Sequence, residues 1–162
     1  MNKAVFLDRD GVINHDPGDY TKSLEEFTIL PNVLEAFKLI KKNGYKIILV
    51  TNQGGVAKGL YPEKNVHEIH DFLRAEALKV DVEIDEIYFA PYHDDFGNSL
   101  TRKPGSLMVE RGLAKFNLNP EHCVLVGDKM RDLESGEKVG VKGIKIDVNG
   151  SLLEAMKNYF NS

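Results

Sequence analysis

Apolar residues along the chain come in short continuous runs that alternate with segments of helical period. Residues 4–7 (Ala-Val-Phe-Leu) and 47–50 (Ile-Ile-Leu-Val) have no polar alternation, which predicts strands buried on both faces. Between them Val33, Leu34, Phe37 and Ile40 share one helical face. Pro31 is expected at that helix's first position, where a missing N–H does no harm, and Asn43-Gly44 at its end. The pattern then repeats. Pro62 opens a helix with Val66, Ile69, Phe72, Leu73 and Val80 inside, and residues 86–89 form a third strand. Ser106 caps a helix carrying Met108 and Phe116, and residues 123–126 form a fourth strand. A short helix ends near Gly140 and residues 143–146 make a fifth strand. Ser151-Leu152-Leu153-Glu154 is a capping box before a last helix with Met156 and Phe160 inside. Strand and helix alternating five times predict an α/β protein, a three-layer α/β/α sandwich around a mainly parallel five-stranded sheet. Ligands of such sheets bind beyond the carboxyl ends of the strands.

Composition narrows the picture. With 162 residues, a single domain spanning 1–162 is expected, and it is large enough for a proper core. A net charge of −4 gives no electrostatic footprint for nucleic acid or for an anionic membrane surface. The apolar runs are too short to cross a bilayer. No leader precedes the first strand, so a cytoplasmic compartment is the default, and a monomer is expected. The single cysteine, Cys123, excludes a disulfide within the chain and a multi-cysteine zinc site, and reads as a small buried residue. His67 and His70, one turn apart, read as a solvated helix face. His93 and His122 have no partner visible in the sequence.

The strand ends carry the candidate chemistry. Asp8-Arg9-Asp10-Gly11 follows the first strand and Thr51-Asn52-Gln53-Gly54-Gly55 the second. Gly127-Asp128-Lys129, with Asp132 beyond, follows the fourth, and Arg102-Lys103-Pro104-Gly105 precedes the third long helix. Clustered carboxylates repel unless a cation binds, and an oxygen-only ligand set suits Mg²⁺. A carboxylate can attack phosphorus to give an aspartyl-phosphate, and a second carboxyl two residues on can move protons. A hydroxyl, free N–H groups and a lysine can bind the phosphoryl oxygens as charge shifts. Taken singly, each residue has a plainer reading: Asp8 and Asp10 as turn formers, Thr51 as a strand end, Lys103 as a solvated charge, Asp132 as a partner of a helix dipole.

Together, and in this order, the four segments resemble the motifs of the haloacid dehalogenase superfamily, across essentially the whole chain. Thr51-Asn52-Gln53 with Gly55-Val56-Ala57-Lys58-Gly59-Leu60 is similar to its heptose bisphosphate phosphatase branch, and histidinol-phosphate phosphatases are close to it. The resemblance implies a Rossmann-like fold and a Mg²⁺-dependent phosphomonoesterase acting on a small phosphorylated metabolite such as a sugar bisphosphate. It implies Asp8 as nucleophile and Asp10 as general acid/base. It also implies Mg²⁺ on the Asp8 and Asp128 carboxylates and the Asp10 backbone carbonyl. Thr51, Asn52, Gln53, Lys103 and Lys129 would meet phosphate. Arg102 and the loop residues Asp16 and Asp19 would meet substrate, and Asp132 would support the site. The spans from Asp8 to Thr51, 43 positions, and from Thr51 to Lys103, 52 positions, are filled by the elements already read, so a capless member is implied. The branch's zinc loop of three Cys and one His is replaced by residues 90–101, which hold no cysteine, so Zn²⁺ is not expected. Two competing readings are a nucleic-acid 3′-phosphatase, disfavoured by the missing basic stripe, and a receiver-like phosphoacceptor domain. The second would place its phosphorylated Asp mid-chain and lacks an acid two residues on.

Overall fold

The computed structural model describes residues 2–162. Five strands, β1 (Ala4–Leu7), β2 (Lys46–Asn52), β3 (Glu86–Ala90), β4 (Val124–Gly127) and β5 (Lys142–Lys145), form one sheet in the order β3-β2-β1-β4-β5. Every neighbouring pair is parallel. The chain steps from β1 outward to β2 and β3 on one side, and to β4 and β5 on the other. The crevice between the ends of β1 and β4 is therefore the topological switch point, where open α/β sheets bind ligands.

Side chains alternate across the sheet, because successive Cβ atoms point to opposite faces. Val5, Leu7, Ile47, Leu49, Val124 and Val126 face a layer made by α1 (Val33–Lys42), α2 (Glu63–Leu78) and α5 (Leu152–Asn161). Ala4, Phe6, Ile48, Val50 and Leu125 face the other way, and Met108 and Val109 of α3 (Leu107–Lys115) join that cluster. Gly136 of α4 (Met130–Glu137) lies against Leu125 on the same side. Cys123 is buried in this second layer, as its apolar setting suggests.

The structure moves several expected boundaries. The first helix begins at Val33, not Pro31: Asn32 takes a left-handed conformation (φ 64°), which asparagine tolerates better than most residues, and this ends the turn that Pro31 starts. Pro62 sits just before α2 in extended conformation, and Val80 lies beyond its end while still packing on the core. Phe116 closes α3, and Ser106 donates to the Glu110 carboxylate instead of capping the backbone. The last strand begins at Lys142. It is an edge strand with Lys142 and Lys145 exposed, so its apolar signal is weak. At Ser151 the hydroxyl accepts from the Glu154 N–H at 3.2 Å, as a cap should.

Candidate active site

Asp8 is the first residue past β1, and its N–H still donates to the Val126 carbonyl at 3.0 Å, so the ladder itself fixes where it stands. Its Oδ1 accepts from Lys103 Nζ at 2.8 Å. The same ammonium reaches Asp132 Oδ1 at 2.7 Å and the Val50 carbonyl at 2.8 Å, so all three of its donors are used. Lys103 is 2% exposed. Burial alone would drive off its proton, but the two carboxylates outweigh it and hold the ammonium charged. Asn52 fixes the lysine's backbone, accepting its N–H at 2.9 Å and donating to its carbonyl at 3.1 Å. Burial pushes the Asp8 carboxyl well above the usual carboxylate range despite Lys103, with the Asp132 charge adding to the rise.

Asp10 has the opposite fate. Burial raises its proton affinity, but the Arg9 guanidinium and three sets of donors overcome this and hold it below its ordinary range. Arg9 Nη2 and Asn14 Nδ2 both donate to Oδ1 at 2.9 Å, and Gln53 Nε2 donates to Oδ2 at 2.9 Å. Gln53 also donates to the Thr51 hydroxyl at 3.0 Å and accepts from Tyr61 Oη at 2.9 Å. The Thr51-Asn52-Gln53 side chains are thus engaged in holding Lys103 and Asp10. Asn52 and Gln53 line the cavity, whereas Thr51 is fully buried behind it.

Oxygens of Asp8, Asp128 and Asp132 lie within 4.8 Å of one another. Both Asp132 oxygens have partners, Lys103 Nζ and the Lys129 N–H at 3.0 Å, so it acts as a bracket for the lysine. Asp128 differs. Oδ2 accepts from Lys129 Nζ at 3.0 Å, but Oδ1 is buried with no hydrogen-bond partner. An orphaned carboxylate oxygen beside a second carboxylate fits a hard divalent cation. Gly11 permits this closeness. It is left-handed (φ 85°), and a Cβ there would stand 2.6 Å from Asp128 Oδ2.

These groups open into a cavity of about 660 Å³, of the size that takes a small metabolite. Asp16, Asp19, Arg102 and Lys129, expected from the sequence, line it. Asp16 accepts the Gly18 N–H at 2.8 Å, shaping its loop, and Asp19 lies 3.7 Å from Lys22. Arg102 donates to the Tyr92 carbonyl at 3.0 Å, and Gly54 lies beneath it. Tyr20, Tyr61 and Arg131, which no sequence motif marks, also line the cavity, as does His93, whose partner the sequence does not identify. Arg131 sits between two residues that sequence reading picked out as site candidates, Lys129 and Asp132. Arg131 keeps a buried Nε without a hydrogen-bond partner, and the buried Nε of Arg102 has only a long ion pair, 3.5 Å from Asp94 Oδ1.

His70 corrects an expectation. It is buried, not on a solvated face, and its Nε2 lies 3.3 Å from Arg9 Nη1. Burial and the Arg9 charge lower its pKa from 6.5 to about 3. Between those values the unfolded chain binds a proton that the native one does not, so stability falls as pH drops through this window. At about pH 4.5 the loss is roughly 2–3 kcal/mol. Urea denaturation at neutral pH and at that pH should show His70→Gln losing less stability than the wild type by that amount. Equal losses would mean the imidazole is not kept neutral.

The haloacid dehalogenase-like hydrolase family model matches residues 2–140. The chain is 35% identical over 153 residues to a D-glycero-β-D-manno-heptose-1,7-bisphosphate 7-phosphatase of Haemophilus influenzae, covering 91% of this chain and 81% of that one. It is 37% identical over 146 residues to the α-anomer enzyme of Burkholderia mallei, covering 86% and 77%. Among solved structures, a D,D-heptose 1,7-bisphosphate phosphatase from B. bronchiseptica, complexed with magnesium and phosphate, superimposes with a TM-score of 0.83. It is 25% identical, over 99% of both chains.

Proposed function

Since the chain belongs to the haloacid dehalogenase-like hydrolases, we propose that it is a phosphatase removing one phosphate from a sugar bisphosphate through a phosphorylated Asp8. The observation that carries this reading is Asp8 on the cavity floor, one oxygen tied to Lys103, with Asp10 two residues on and held by its own donors. The relatives' activity on heptose 1,7-bisphosphate supports it. An Asp8 oxygen attacks phosphorus, the ester P–O bond breaks, and the leaving alkoxide takes the Asp10 proton. Water then attacks the same phosphorus, Asp10 takes its proton, and the bond to Asp8 breaks to release phosphate. An arriving phosphoryl dianion is a like charge beside Asp10 and opposes its ionisation, which suits the first step. The low intrinsic proton affinity of Asp10 suits it to give that proton up. Lys103 neutralises charge at the nucleophile, and Asn52 keeps it there.

Asp8, Asp128 and the Asp10 backbone carbonyl would hold Mg²⁺, which when bound supplies positive charge to the phosphoryl oxygens. No zinc is expected in the loop 90–101. We read residues 1–162 as one domain without a separate cap, acting as a monomer. A Mg²⁺-supplemented phosphate-release screen over sugar mono- and bisphosphates and histidinol phosphate, with Asp8→Asn as blank, tests the reading. It fails if no sugar bisphosphate is among the good substrates.

A second anionic group on the substrate has a place to go. Arg102 and Arg131 both line the cavity, Arg131 with a buried Nε that has no hydrogen-bond partner, and guanidinium is the side chain best shaped for phosphate. Arg131→Ala should raise KM for a sugar bisphosphate roughly 10-fold or more, a loss of one charged hydrogen bond. It should leave KM for p-nitrophenyl phosphate within about 2-fold, since that substrate has no second anion. Equal changes for both substrates would remove Arg131 from this role.

A further inference from the structure

Arg9 is the largest fully buried side chain in the protein, and it carries a permanent charge. A charge so placed must be answered on every donor that its surroundings allow. On one edge it grips Asp10 Oδ1, through Nη2 at 2.9 Å and Nε at 3.3 Å. Nη2 also lies 3.4 Å from Gln53 Oε1, and the guanidinium carbon stands 5.7 Å from the centre of the Phe27 ring. The opposite edge, Nη1, meets only one side-chain acceptor in the described structure, His70 Nε2 at 3.3 Å.

Guanidinium can donate but not accept, so His70 Nε2 must be the acceptor in this contact. That fixes the imidazole as the neutral tautomer with its hydrogen on Nδ1. The ring is itself held. His70 lies on the inner face of α2, and its centroid stands 5.9 Å from that of Phe89 on β3 in an edge-to-face arrangement. A rigid acceptor on a packed helix therefore determines how the guanidinium plane lies, and the guanidinium determines how the Asp10 carboxylate is turned.

We propose that His70 is a positioning residue for proton transfer: by accepting from Arg9 it sets the orientation in which Asp10 meets the leaving-group oxygen. The proposal rests on the acid–base reading of Asp10 given above. His70 touches neither substrate nor the reacting atoms. Its loss should therefore act on the step that needs Asp10's proton and leave phosphoryl binding alone.

The test compares an alkyl phosphate, whose leaving oxygen needs a proton, with p-nitrophenyl phosphate, whose leaving group does not. His70→Leu keeps the bulk and removes the acceptor. It should lower kcat/KM on the alkyl substrate about 10-fold to 100-fold, within the range that misorientation of a general acid costs; kcat/KM ends at phosphoenzyme formation and so leaves out the water step that both substrates share. On the aryl substrate kcat/KM should change less than about 3-fold. His70→Gln places an amide oxygen near the former Nε2 and should restore the alkyl rate to within about 3-fold. Equal losses on both substrates, no alkyl loss, or failure of glutamine to rescue would each overturn the proposal. Nitrogen-15 NMR of the wild-type imidazoles gives a reading that needs no variant to fold. At neutral pH His70 should show a protonated Nδ1 and a bare Nε2, and the reverse tautomer or an imidazolium would also overturn it. Asp10→Asn run alongside separates two failures. If it shows no preferential alkyl loss, the acid–base reading of Asp10 falls and this proposal with it. If it does and His70→Leu does not, only the positioning role is lost.

Discussion

Asp8→Asn is expected to abolish turnover, by roughly four orders of magnitude or more, while the protein stays folded. The amide matches the carboxyl in size and shape, so the packing at the end of β1 is unchanged. Its oxygen can still accept from Lys103, but a neutral amide cannot attack phosphorus and keep the bond it forms. Stability should move little, because the native carboxylate is itself strained by burial: its proton affinity is already raised well above the ordinary range. Acid-quenched enzyme, labelled from a phosphate-tagged substrate, should carry label in the wild type and none in the variant. Retained turnover in freshly prepared protein, with deamidation excluded by mass, would falsify the assignment of Asp8 as nucleophile.

Lys103→Met is expected to damage the fold as well as the chemistry. The lysine holds two buried carboxylates at 2.8 and 2.7 Å, and methionine leaves both without their cation. Breaking a buried pair by removing one partner costs about 3–5 kcal/mol, because the remaining charge is stranded. In a domain of this length that is about a 10 °C fall in Tm. The largest part should come from Asp132, which has almost no contact with solvent. Adding Asp132→Asn should therefore recover part of the loss, a non-additivity expected of groups in one network. Differential scanning calorimetry of the two single variants and the double variant reads this directly. A fall under about 2 °C for Lys103→Met would show that the ammonium is not holding the cluster together.

The strands were legible where the sheet is buried on both faces. Residues 4–7 and 47–50 are continuous apolar runs because neither face of those strands meets water. β5 is less legible, since an edge strand with lysines at both ends holds one apolar side chain, Ile144, beside a glycine. Pro31 misled for a local reason: proline suits a helix start, but the left-handed Asn32 after it delays the helix. In the site, the strand-end carboxylates stood out by position alone. Arg9 did not, because a charged residue between two aspartates reads as surface until the strand is known to dive into the core. His70 was readable in principle. It lies four residues after Val66 and three before Leu73, both buried, so its helical phase faces inward. Arg131 carried no local signal: only the turn of α4 into the cavity distinguishes it from an ordinary exposed arginine.

Asp8 and Asp128 leave strands that are hydrogen-bonded neighbours, with Leu7 in register with Val126. That register puts Gly127 opposite Asp8 and Asp128 one residue beyond, so their relative placement follows from the interstrand spacing, about 4.8 Å in any sheet, and a one-residue offset along the strand. Other parts of the cavity lining, residues 16–21 and, in the stretch after β3, His93 and Arg102, belong to no strand. Protein engineers could exchange those segments for foreign ones, and selectivity would be redrawn while the two strand-end carboxylates kept their places. One scaffold could then serve a panel of designed catalysts that share a single chemical step.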